Sequence, residues 1–248
     1  MSGHSKWATI KHKKGALDAK RGQLFTKLIK EISILAKNGG NPDTNPQLRT
    51  AIQKAKDSNM PTDNIERAIK KGTGELPGVV YEEATYEGYG PGGIAILVEV
   101  VTDNKNRASS EIRSIFSKNG GNMAGAGAVS WIFEKKGYFV VSKKALDEDK
   151  LMGIVLEAGA EDLVTEDENY EVKSSPADFE KVKKALDANK VKIKSAEITM
   201  VPKNTIVAVG EDAKKVLSLV DALEEHEDVQ NVYANFDIPD DILKSLEG

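Results

Sequence analysis

Residues 72–78, GTGELPG, divide this chain into two parts of different periodicity. Three glycines and a proline in seven positions mark a linker rather than a helix or strand. Upstream, apolar residues recur at helical spacing. Leu24, Phe25, Leu28, Ile29, Ile32 and Leu35 line one face of a helix expected over about residues 18–37, and NGG at 38–40 supplies a left-handed stop. Asn45 can cap a second helix whose first position suits Pro46, and Asn59 with Pro61 breaks it. A third helix is expected over 62–71, stopping at Gly72. Residues 1–75 thus read as a basic arm followed by a small three-helix bundle.

Downstream of the linker, YEEATYEGY and GIAILVEVVTD read as strands joined through the turn GPGG, and NKNRASSEIRSIFSKNGG reads as a helix. AVSWIFEKKGYFVVS reads as two strand segments punctuated by EKKG. A helix over 147–158, strands DLVTED and YEVKSS, a helix opened by SSPADFE and the strand VKIKSAEITMVP follow. With YFVVS in front, that run is β-α-β-β-α-β, a ferredoxin-like pattern. The tail supplies TIVAVG, a helix over 211–225, the strand VQNVYANFDI and a short terminal helix. It is too small for a core of its own, so it is expected to share a sheet with the strands of 79–134. The expected fold is α+β multidomain: the N-terminal helical bundle, then two α/β sandwich-like domains. One of these is discontinuous (79–134 with 205–248). The other, ferredoxin-like (138–201), is inserted in it, with crossings near 134–137 and 202–204.

Composition limits what such a protein can do. At 40% hydrophobic and 30% charged residues, the 248-residue chain suits a globular protein and excludes bulk disorder. Absence of cysteine removes disulfides, thiolate catalysis and Cys-based zinc sites together. The longest apolar stretch, GGIAILVEVV, is far short of a membrane span, and no apolar segment follows the N-terminal charges as in a secretory signal. A cytoplasmic protein with no membrane partner is expected.

Motifs for catalysis are missing. Three histidines show no metal-ligand spacing, Ser130 sits in GAVSW rather than G-x-S-x-G, and GPGG runs into IAIL with no Walker lysine. GGNMAGAG follows a helix rather than a strand, the wrong context for dinucleotide binding. The expectation is a non-enzymatic protein with no cofactor, no metal and no small-molecule substrate.

Charge is where the sequence speaks for function. Net charge is −4, yet residues 1–75 hold 15 Lys/Arg against 7 Asp/Glu, while residues 76–248 hold 20 against 32. The first thirty residues carry eight Lys/Arg (Lys6, Lys11, Lys13, Lys14, Lys20, Arg21, Lys27 and Lys30) and a single acid, Asp18. Such a segment can neutralise successive phosphates and release their counterions, so an anionic partner, nucleic acid first, is expected. Trp7 beside Lys6 suits stacking on an unpaired base, and equally suits packing against the bundle. A second candidate is TDNKNRASSEIR, where Asp103 or Asn104 caps a helix carrying Lys105, Arg107 and, further along, Arg113. Free N–H groups at a helix start with nearby cations attract anions, although a capped surface helix with scattered charges has the same pattern. No apolar pattern requires Arg107, so its replacement by alanine is expected to weaken binding and leave the melting temperature nearly unchanged.

These residues also carry a family resemblance. MSGHSKWATIKHKKGALDAKRGQLFTKL, GGNP with NPQLRTAI, KAKDSNMPTDNIERAIKKGTGE, YEGYGPGG and TDNKNR closely resemble the YebC/PmpR family, essentially end to end. The resemblance implies three domains and no enzymatic chemistry. It also implies a regulator of gene expression: a transcriptional regulator binding DNA, or a ribosome-associated translation factor binding ribosomal RNA, as in the mitochondrial translational activators. The family's basic phrase matches at His4, Lys6, Trp7, Lys11, His12, Lys13, Lys14 and Arg21. Its asparagine-rich phrase matches at residues 103–107, with Lys105 where many members carry arginine, which keeps the charge but loses a bidentate fork. The nucleic-acid-binding set expected here is therefore His4, Lys6, Trp7, Lys11, His12, Lys13, Lys14, Lys20, Arg21, Lys105, Arg107 and Arg113. A reading from another class, a protein-interaction adaptor using an acidic groove, predicts no salt-sensitive nucleic-acid binding.

Overall fold

The computed structural model describes residues 17–166 and 168–239, with side chains described from residue 22. Three helices form the amino-terminal part: α1 (Leu17–Ala36), α2 (Pro46–Asp57) and α3 (Thr62–Gly72). Leu28, Ile32, Leu48, Ala51, Ile65 and Ala68 interlock as its core. The turn between α1 and α2 is organised by Asn45. Its side-chain oxygen accepts the Leu48 N–H at 3.1 Å, and its amide donates to Leu35 O at 2.9 Å and Gly39 O at 3.0 Å. One residue satisfies the start of one helix and the end of another. Gly72 is required by contact: a Cβ there would lie 2.3 Å from Ser33 O, so only glycine lets the end of α3 meet α1.

The linker then leads into strands β1 (Glu82–Tyr89) and β2 (Ala95–Thr102), joined by a short 3-10 turn at Pro91–Gly93. With β3 (Asn122–Ala124) and β9 (Val229–Ala234) they form a four-stranded antiparallel sheet in the order β3-β1-β2-β9. Alternate residues of β2 (Ile96, Val98, Val100) pack with Ile112 and Phe116 of α4 (Lys105–Lys118) and Leu219 of α7 (Gly210–Glu224). Helix α1 touches β2 and β9. Strands β8 (Ile206–Val207) and β10 (Phe236–Asp237) form a small parallel pair.

Residues Trp131–Thr205 form a separate compact unit. Its elements run β4 (Phe133–Ser142), α5 (Glu148–Glu157), β5 (Ala160–Thr165), β6 (Asn169–Ser174), α6 (Phe179–Ala188) and β7 (Ile193–Pro202). The antiparallel sheet has the order β5-β6-β4-β7, and Phe139, Val141 and Val172 pack with Leu151, Val155, Val182 and Leu186 of the two helices. Phe139 stacks on Phe179 with ring centroids 4.8 Å apart.

Two local expectations need correction. EKKG does not punctuate a strand: β4 runs unbroken through 134–137, since Lys136 is held by Glu134 at 3.0 Å and Glu161 at 2.7 Å, and Gly137 makes room for Phe179. The run VQNVYANFDI is two strands with different partners, parted at Asn235, whose side chain accepts the Ala95 N–H at 2.7 Å. The glycine-rich stretch after α4 contributes the strand β3, too short to show an alternation. The turn at GPGG is a 3-10 turn with Gly92 and Gly93 at φ 71 and 75. The short terminal helix expected after residue 239 lies outside the described residues.

Candidate nucleic-acid interface

Of the twelve expected site residues, His4, Lys6, Trp7, Lys11, His12, Lys13 and Lys14 lie outside the described residues. Lys20 and Arg21 lie in α1, with the helical backbone alone described. Lys105, Arg107 and Arg113 all lie on α4. The start of α4 is capped by Asn104, whose side chain accepts the Arg107 N–H at 3.1 Å, so one helix-start donor is already satisfied. Lys105 is exposed and pairs with Glu82 at 2.7 Å, and Arg113 is exposed.

Arg107 is engaged in a different way. Its guanidinium donates to Asp228 Oδ2 at 2.7 Å and lies 3.0 Å from Asp103 Oδ1. Asp228 is fully buried. It also accepts from Thr102 Oγ1 at 2.8 Å and, through Oδ1, from Lys30 Nζ at 2.5 Å. Burial would push this carboxyl up, but hydrogen bonds from Lys30, Arg107 and Thr102 outweigh it and hold the carboxyl below its usual range. The same hydrogen bond to Asp228 pushes the Arg107 guanidinium further up. Arg107 therefore has a structural partner, and its removal would strip a cation from a buried carboxylate, which argues against the expectation of an unchanged melting temperature.

Lys30 and Lys27 bring a second correction. Lys30 is buried and also donates to Glu227 O at 3.0 Å, while Lys27 donates to Glu224 O, at the end of α7, at 2.6 Å. A helix carboxyl end presents free carbonyls and partial negative charge, which suits these ammonium groups. Two of the eight cations counted in the first thirty residues are thus committed inside the protein. The cue is faint in the sequence, because their partners lie about two hundred residues away.

Among the described residues, Glu111, His226 and Asp228 bring candidate metal-ligand atoms within 4.8 Å of one another. Their bonding fits an ion-pair network better. Asp228 N–H donates to His226 Nδ1 at 3.2 Å, which leaves the ring proton on Nε2, facing Glu111 Oε2 at 2.9 Å. Lys30 and Arg107 already supply the positive charge that Asp228 needs. A further carboxylate, Glu87, is buried and accepts backbone N–H groups from Gly127 (2.8 Å), Val129 (2.6 Å) and Ser130 (2.8 Å). Burial acts to raise it, but those donors win and hold the carboxyl below its ordinary value. The Ser130 side chain also hydrogen-bonds to Glu87, so the carboxylate gathers both the backbone and the hydroxyl of one loop.

The geometry defines a mixed α/β protein, with seven helices among its described residues and two four-stranded antiparallel sheets. Its residues 5–75 match the TACO1/YebC protein N-terminal domain, and residues 81–236 match the TACO1/YebC second and third domain. The chain belongs to the TACO1/YebC family. It is 60% identical over 248 residues to a probable transcriptional regulatory protein of Dictyoglomus turgidum, covering 99% of this chain and 100% of that one. A protein of the same description from Citrifermentans bemidjiense is 59% identical over 247 residues, with 99% and 100% covered. The crystal structure of a conserved hypothetical protein from Aquifex aeolicus superposes with a TM-score of 0.82 at 50% identity, covering 96% of this chain and 99% of that one. Among the described residues no helix is long and apolar enough to cross a membrane.

Proposed function

We propose that this chain is a non-enzymatic, cytoplasmic regulator of gene expression that grips a nucleic-acid backbone through its basic amino-terminal residues. Its relatives are named probable transcriptional regulatory proteins, which supports the regulatory role. One observation carries the binding reading. With Lys27 and Lys30 set aside, six Lys/Arg remain within residues 6–21 against the lone Asp18. An architecture of helical domain, discontinuous α/β domain and inserted ferredoxin-like domain presents that segment at one end of the chain sequence.

The test is the salt dependence of binding to a 20-base-pair duplex DNA and a 20-nucleotide single-stranded RNA. If about five cations engage, log affinity falls against log salt with a slope near −4.5 on the duplex or about −3.5 on the single strand. Deleting residues 2–16 removes Lys6, Lys11, Lys13 and Lys14 and stops short of α1, so the duplex slope should flatten by up to about 3.6. A truncated protein with unchanged affinity and slope refutes the reading. DNA is the first target of this reading, and ribosomal RNA, on whose unpaired bases Trp7 beside Lys6 could stack, is the second. Trp7→Ala should then weaken RNA binding by about 1–3 kcal/mol without moving the slope, and a lowered melting temperature would assign Trp7 to packing.

A further inference from the structure

The contact between α1 and the sheet is crossed by several polar bonds, whereas the two cores beside it are apolar. The helical core around Leu28 and Ile32 and the sheet core around Ile96 and Phe116 are separate clusters. Across the contact between them run Lys27 to Glu224 O, Lys30 to Glu227 O and Asp228, and Lys37 to Tyr81 O. Interfaces of this kind part more readily than apolar ones. Asp228 is also provided for without α1, since Arg107 and Thr102 bond its other oxygen from the α/β side. Withdrawal of Lys30 therefore leaves a carboxylate that still has a cation and a hydroxyl, rather than an orphaned buried charge. The link between the two parts, residues 73–80, is exposed throughout.

We propose that Lys27 and Lys30 form a second phosphate-binding surface, masked by Asp228 and the carbonyl end of α7. Docking of the helical segment and binding of a nucleic-acid backbone then compete for the same two ammonium groups. The carboxylate and the helix-end carbonyls stand in for phosphate oxygens, which makes the docked form autoinhibited. This rests on the nucleic-acid reading above and adds to it a masked surface and its release. By linkage, a ligand that uses these lysines shifts the protein toward the undocked form, and a substitution that undocks it raises affinity for the ligand.

The chain lacks cysteine, so spin labels on Gln53→Cys in α2 and Ser117→Cys in α4, both at exposed positions, report docking in the full-length protein. The otherwise unsubstituted pair should show one narrow distance, and Asp228→Asn should add a longer, broader population. The probes are the 20-base-pair duplex and the 20-nucleotide RNA. Asp228→Asn should bind them tighter, by a factor in the roughly 5- to 150-fold range of coupled sites. Its salt slope should steepen by up to about 1.8 on the duplex, for two more phosphates. Lys30→Met, which keeps Asp228 paired with Arg107, should also undock, but it should steepen the slope by only about 0.9 because one ammonium is gone. A single narrow distance in both variants overturns the proposal. So does an undocked population that binds with unchanged affinity and slope while the arm truncation still behaves as expected. If the parent protein fails to bind and Asp228→Asn binds, the arm reading falls and the masked surface stands. If no variant binds, both fall.

Discussion

Replacing Glu87 by glutamine tests whether a buried carboxylate holds the segment 125–130 in place. Oε1 takes the Gly127 N–H, and Oε2 takes those of Val129 and Ser130. Glutamine keeps one acceptor oxygen. With that oxygen turned to the pair of donors, its amide faces the Gly127 N–H, and a charge-assisted bond becomes an opposed pair of donors. Hydrogen bonds to charged groups contribute about 1.5–3 kcal/mol, and the two retained bonds weaken to neutral strength, so a loss of roughly 2–4 kcal/mol is expected at neutral pH. For a domain of this size that is on the order of 4–16 °C in melting temperature. The pH dependence follows from the direction of the shift. Glu87 is held below its ordinary value, so its contribution is fully present above the unfolded carboxylate range, about pH 4.3, and disappears as pH falls through the lower folded value. Thermal unfolding of both proteins from pH 7 downward, with amide exchange read at Gly127, Val129 and Ser130, makes the comparison. The gap should be complete at pH 7 and close on acidification, with all three amides exchanging faster in the variant. Equal melting temperatures at pH 7, or a gap that persists unchanged into acid, would refute the reasoning.

Arg107→Met should lower the melting temperature, with a loss of about 1.5–3 kcal/mol from the Asp228 bond; an unchanged unfolding curve in urea would return Arg107 to the surface. Gly137→Ala should destabilise the unit spanning Trp131–Thr205 by about 1–3 kcal/mol, because a Cβ there would lie 2.4 Å from Ser174 Oγ and 2.9 Å from the Phe179 ring; a native-like near-ultraviolet spectrum and melting curve would contradict this. Deleting residues 133–202 and closing the gap with a short glycine-containing turn should leave the remaining sheet folded. Lys203 N–H donates to Ile132 O at 2.8 Å, so the two ends are adjacent. Loss of the native circular dichroism signal would sink the insertion.

Where each element forms was largely legible, because period and punctuation act locally. Asn45 before Pro46 and Asn104 before Lys105 cap helices in the structure as their chemistry dictates. The misread stretches are those where a distant partner decides. EKKG carries turn-like composition, yet Glu161 and the space needed by Phe179 make it the middle of a strand. Asn235 looks like any strand residue, yet its bond to the Ala95 N–H, 140 positions away, ends one pairing and begins another. Three residues of β3 cannot show a period at all.

The candidate site was legible as a charge imbalance and illegible as a division of labour. Counting cations treats Lys6 and Lys30 alike, since both stand in the same basic run. Geometry separates them by what each touches: Lys30 and Lys27 are bound to the carbonyl end of α7 and to Asp228, contacts that no window of thirty residues contains. Arg107 is separated by the same carboxylate. Read alone, a cation one turn into a helix suggests an anion held in solution, whereas the anion is a buried aspartate of this chain. One carboxylate thus removes two residues from the count of freely available cations, Lys30 and Arg107. What is left is a shorter basic run. That run is six Lys/Arg with one acid, confined to residues 6–21. A run that dense repels itself unless an anion shares it, which is why salt titration of the arm is the measurement that bears most directly on function.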